Sequence, residues 1–117
     1  MKILIVEDDR VLSLMLSRMV QRLGHELVNS VTMGEEAIVT VKKNEVDLIL
    51  MDIMLEGKID GIDAMKKIRE NNDVPVIYVT GNSDKTTIER AKETAFVAYL
   101  VKPIVFDQLK KSIDKIT

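Results

Sequence analysis

Acidic residues stand at two points where apolar runs of this chain stop: Glu7-Asp8-Asp9 directly after Ile3 to Val6, and Asp52 directly after Leu48 to Met51. Two further runs give way to Thr80-Gly81 and to Lys102-Pro103. Taken alone, acids behind an apolar run read equally well as helix caps. Brought together at one edge, three carboxylates would repel, and proteins keep such groups mainly where a cation sits among them. Oxygen ligands of this kind suit magnesium, which retains several waters and serves phosphate chemistry.

Such residues meet only if the elements between them place them at one edge. Five short apolar runs, Ile3 to Val6, Leu27 to Val31, Leu48 to Met51, Val74 to Val79 and Phe96 to Val101, read as strands. The first, third and fourth are apolar almost without alternation, as in central strands of a parallel sheet covered on both faces. Between the strands the period is helical. Leu12, Met15, Leu16, Met19, Val20 and Leu23 form one stripe that Gly24 stops, and Thr32 with Glu35 has capping-box spacing before a second helix that runs to about Asn44. Ile62, Met65 and Ile68 follow Gly61 in a third. A fourth begins near Ser83-Asp84 with Ile88, Ala91 and Ala95 inward, and a fifth spans about Val105 to Ile116 with Leu109 and Ile113 inward. Strict β-α alternation predicts an α/β fold, a doubly wound parallel sheet with helices on both faces. Its sites belong at the carboxyl ends of the strands, beside the topological switch point.

Composition narrows the function classes. At 117 residues the chain fits one domain, expected to span 1–117, and no linker, repeat or low-complexity segment divides it. With no cysteine, disulfides, thiolate zinc sites and a cysteine nucleophile are excluded, and the single histidine leaves metal binding to oxygen. A net charge of −2 with 31% charged residues carries no nucleic-acid footprint. The first residues lack a signal peptide's apolar region, and no stretch approaches the ~20 apolar residues of a membrane span, so a cytoplasmic protein with no membrane partner is expected.

Five motifs in order, Glu7-Asp8-Asp9, Met51-Asp52-Ile53-Met54, Asp60-Gly61, Thr80-Gly81 and Tyr99-Leu100-Val101-Lys102-Pro103, resemble the receiver domain of two-component response regulators, the CheY-like, flavodoxin-like fold. The resemblance implies strand order 2-1-3-4-5. It implies that Asp52 accepts a phosphoryl group from the phosphohistidine of a sensor histidine kinase or phosphotransfer protein, with Mg2+ held by Asp8, Asp9, Asp52 and the backbone carbonyl of Met54. Glu7, before that pair, is expected to stay off the metal. Lys102 and Thr80 would neutralise and hold the phosphoryl oxygens, and the Lys102–Pro103 peptide would be cis. Thr80 and Tyr99 would form the switch pair that reshapes the face of the fourth helix, fifth strand and fifth helix toward a downstream effector or a fused output domain. Gly81 would leave the phosphoryl group open to a partner phosphatase, while Met54 and Asn82 would flank the hydrolytic water and make autodephosphorylation slow. The implied role is a switch that catalyses its own phosphoryl transfer rather than an enzyme.

Some features depart from the common receiver pattern. Glu56 stands where a proline is usual, and Asp60 comes one position late, so that the segment resembles a receiver variant with an L-x-G-x-x-D-G loop, a variant that also lacks the usual glycine where Ala95 stands. Val97-Ala98 replace the acids of a charged dimer interface, so a monomer or weak homodimer is expected. Leu14 with Val11 is a candidate kinase-docking patch, His25 reads as a turn residue, and the seven methionines read as core filler. Other aspartate chemistries fit less well. A haloacid-dehalogenase-type phosphatase needs a second acid where Met54 stands, and a flavodoxin-like binder needs a phosphate loop where Glu7-Asp8-Asp9 would repel phosphate.

Overall fold

The apolar runs form five strands in a computed structural model that describes residues 1–117: β1 (Lys2–Val6), β2 (Glu26–Val31), β3 (Leu48–Met51), β4 (Val76–Thr80) and β5 (Ala98–Val101). Helices α1 (Arg10–Arg22), α2 (Gly34–Lys43), α3 (Gly61–Arg69), α4 (Lys85–Lys92) and α5 (Phe106–Asp114) alternate with them. All pairings are parallel, and the sheet order is β2-β1-β3-β4-β5. The chain reverses its direction of winding after β2, so β1 and β3 lie side by side and their carboxyl ends flank the switch point.

Continuous apolarity in β1, β3 and β4 follows from two cores, one on each face. Leu4, Val6, Ile49, Met51 and Tyr78 point toward α2, α3 and α4, while Ile3, Ile5, Leu48, Leu50 and Val79 point toward α1 and α5. Neighbouring residues face opposite sides, so both sides must be apolar; each fully buried leucine or isoleucine contributes roughly 1.5–3 kcal/mol. No helix is long and apolar enough to cross a membrane.

Helix ends and inward faces differ from the expectations in four places. Met15 lies at the edge of the α1 stripe and is exposed, while Ser13 is buried and meets the Ser30 hydroxyl on β2. The α2 start is one residue late: Glu36, not Glu35, reaches back to accept from the Thr32 and Met33 amides, each at 3.2 Å. At the end of α4 the buried residue is Thr94, whose hydroxyl lies 2.7 Å from the Tyr78 hydroxyl. Ala95 instead sits past the helix at φ 53°, exposed, in the left-handed turn that ends it. Methionine is not uniformly core: Met51 and Met65 are buried, but Met54 is 65% exposed.

Candidate functional site

Backbone pairing carries each functional residue to the upper edge of the sheet. The Asp52 amide donates to the Val6 carbonyl at 2.9 Å and the Glu7 amide to the Val31 carbonyl at 2.9 Å, so both extend the ladder just beyond the strands. The Lys102 amide donates to the Thr80 carbonyl at 2.9 Å, and the Lys102–Pro103 peptide is cis. Glu7, Asp8, Asp9, Asp52, Met54, Thr80, Gly81, Asn82 and Lys102 line one open cleft of about 730 Å³.

Asp52 is 4% exposed; its Oδ1 accepts from the Ile53 amide at 2.7 Å and its Oδ2 from Lys102 Nζ at 2.8 Å. Gly61 closes tightly behind it, since a Cβ there would stand 2.1 Å from the Asp52 carbonyl oxygen. The Asp-Gly pair thus has a physical reason: Asp60 caps α3 by accepting from the Asp63 amide at 2.8 Å, and only a glycine allows the helix to start against the backbone of Asp52. Asp60 also pairs with Arg90 of α4 at 3.0 Å. Burial alone would raise the Asp60 pKa, but the Asp63 amide and Arg90 outweigh it and hold the carboxyl below its usual value.

The acidic cluster is not the one expected from the sequence. Oxygens of Glu7, Asp8 and Asp52 lie within 4.8 Å of one another. Asp9 is drawn out of the set because α1 begins at Arg10, and its Oδ1 is engaged by the amides of Val11 and Leu12 at 3.0 and 3.2 Å. The structure thus groups Glu7, rather than Asp9, with Asp8 and Asp52. A signal for this was present, since an aspartate directly before an apolar helical period marks a helix N-cap.

Glu7 is 1% exposed; its Oε2 accepts from the Asp9 amide at 3.0 Å, and its Oε1 lies 2.9 Å from Lys102 Nζ but outside hydrogen-bonding angles. Burial, with the Asp52 charge adding to it, pushes the Glu7 pKa up to about 7 against the pull of the Asp9 amide and Lys102. Burial lowers the Lys102 pKa, but its hydrogen bond to Asp52 and its ion pair with Glu7 more than compensate, and the ammonium is held above its usual value. One cation thus faces three acids. A buried carboxylate oxygen without an aligned donor, beside two more carboxylates, is a donor set that fits a hard divalent cation.

Thr80 is fully buried at the end of β4, and its Oγ1 accepts from the Asn82 amide at 3.3 Å. The Tyr99 hydroxyl donates to the Asn82 carbonyl, and its ring packs on Tyr78 and Phe96 with centroids 6.0 and 5.8 Å away. The ring therefore already bridges β5 to the loop in which Gly81 and Asn82 lie.

The site is thus an acid cluster at the switch point of a parallel sheet, with a buried aspartate bound to a lysine. The family model for the response regulator receiver domain matches residues 3–114, and the chain belongs to that family. It is 32% identical over 113 residues to the transcriptional regulatory protein PdtaR of Mycobacterium tuberculosis, covering 97% of this chain and 55% of that protein. It is 36% identical over 114 residues to a probable C4-dicarboxylate response regulator, DctR, of Halalkalibacterium halodurans, covering 96% and 49%. The chain therefore spans about half the length of these relatives. Among solved structures it superposes on the receiver domain of a modulated diguanylate cyclase from Desulfovibrio desulfuricans with a TM-score of 0.91 at 33% identity, covering 98% and 91% of the two chains. The receiver domain of a Pseudomonas aeruginosa sensor histidine kinase, described with magnesium coordinated in its active-site cleft, gives 0.87 at 29%, covering 97% and 94%. Receiver domains are phosphorylation-dependent signalling switches rather than ordinary enzymes, and they generally bind Mg2+ in an acidic pocket.

Proposed function

We propose that this receiver domain takes a phosphoryl group from a histidine kinase or phosphotransfer protein onto Asp52. The observation that carries the reading is the buried Asp52 carboxylate, bonded to Lys102 at 2.8 Å at the head of a cleft that also holds Glu7 and Asp8. Asp8, Asp52 and the Met54 carbonyl, with Glu7 beside them, would hold Mg2+. When bound, the ion neutralises charge on the phosphoryl oxygens. A carboxylate oxygen of Asp52 attacks phosphorus, the bond to the imidazole nitrogen breaks, and that nitrogen leaves with the bonding pair. Lys102 exchanges its contact with the carboxylate for the incoming phosphoryl oxygens, and the Thr80 hydroxyl donates to another.

Movement of Thr80 toward the phosphoryl group would disturb the Asn82 amide it holds, and through the Asn82 carbonyl the Tyr99 ring, so the face formed by α4, β5 and α5 changes with phosphorylation. Val11 and Leu14, 71% and 54% exposed on α1, with Met15 beside them, supply an apolar kinase-docking patch. The output is a partner protein or a domain fused beyond this segment, as the greater length of the relatives supports. The test is labelling by acetyl phosphate with magnesium: wild type should be labelled, and Asp52→Asn should not. Equal labelling of the two would overturn the assignment.

A further inference from the structure

The middle of the loop after Asp52 is met by a side chain from another helix. Glu35, left over from the α2 cap, turns toward it. Its Oε2 accepts from the Lys58 amide at 3.2 Å, while its Oε1 is buried without a hydrogen-bond partner. Gly57 stands against the same carboxylate at φ 93°, and a Cβ on it would lie 2.8 and 2.9 Å from the two oxygens. One residue earlier, Glu56 pairs with Met33 in an isolated parallel bridge, and Leu55 packs on the core beneath α2 and α3. Every residue from Leu55 to Lys58 is thereby tied to the core or to the start of α2.

Met54 lies directly before this tied segment. Behind Met54, the Ile53 carbonyl is occupied by the Gly61 amide at 2.8 Å, whereas the Met54 carbonyl accepts no hydrogen bond and the residue lines the cleft. A carbonyl of an exposed loop residue serves as a ligand only if the chain beyond it cannot swing. We infer that Glu35 is a positioning residue: by clamping Gly57 and Lys58 against α2 it aims the Met54 carbonyl at the acidic cluster. This rests on the magnesium reading of the cleft given above. It also gives Gly57 a role, since without a Cβ it offers the flat surface on which the Glu35 carboxylate seats.

The test is a magnesium chloride titration of the whole chain, with exchange of the Lys58 amide followed without metal. Glu35→Ala should weaken magnesium binding about ten-fold and speed Lys58 exchange, while Glu35→Gln, which keeps an acceptor for that amide, should stay near wild type in both. A general structural role would lower melting temperature without this split. Should Glu35→Ala bind magnesium as wild type does, the inference fails. Should Glu35→Gln fall as far as Glu35→Ala, long-range charge rather than the clamp is responsible, and the inference also fails. If wild type itself binds no magnesium, the functional reading is what has failed. Gly57→Ala is the independent check: it should weaken magnesium binding, and do so less in the Glu35→Ala background, where the carboxylate it strikes is gone.

Discussion

Replacing Glu7 with glutamine should remove a pH dependence that one buried carboxyl writes into the stability of the metal-free fold. The Glu7 pKa is pushed from 4.5 up to about 7, mainly by burial. Below pH 4.5 the group is protonated in both the folded and the unfolded chain and costs nothing. As pH rises from 4.5 to 7 the unfolded chain releases the proton while the folded one retains it, so stability falls. Above 7 the penalty is complete. At ~1.4 kcal/mol per pH unit it reaches about 3 kcal/mol. The stability of wild type minus that of Glu7→Gln should therefore drop by about 3 kcal/mol between pH 4.5 and 7.5, read by urea unfolding in the presence of a chelator. Taking the difference cancels His25, whose pKa is lowered by burial and the adjacent terminal ammonium and whose contribution runs the opposite way, rising with pH. Magnesium, which favours the ionised cluster, should shrink the wild-type drop. A difference that is flat or rises across this range would refute the account of Glu7 as the strained member of the cluster.

Other perturbations separate the site from its scaffold. Magnesium at a hundred times its dissociation constant should stabilise the fold by about 2.7 kcal/mol, and a melting curve of Asp8→Ala should lose most of that gain. Met54→Asn, which gives the water path a hydrogen-bonding group, should hasten loss of the phosphoryl group after donor removal by about ten-fold, or ~1.4 kcal/mol of barrier; an unchanged or slower decay would clear Met54 as the brake. Ala95→Gly should raise stability by roughly 0.5–1 kcal/mol, because the relief of an alanine at φ 53° exceeds the added freedom of the unfolded chain, and chemical denaturation would detect it.

What the sequence determined by itself is whatever has a local cause. Runs such as Ile3 to Val6 and Leu48 to Met51 had to be central strands because both faces of each needed an apolar cover, and strict β-α alternation then set a parallel sheet with its polar residues at one edge. Asp52 and Lys102 were legible because each directly follows a strand. Tertiary structure decided what depends on competition between partners. Asp9 serves α1 rather than the cleft because two amides at the helix start claim its oxygen, and Glu7 is left to face the lysine and the other acids. Thr94 replaces Ala95 in the core because α4 ends earlier than its apolar spacing implies, and the Tyr78 hydroxyl needs a partner there. Glu35 leaves its expected cap because Glu36 already fills it, and the loop it finds instead is 23 residues away in sequence, a meeting no local pattern encodes.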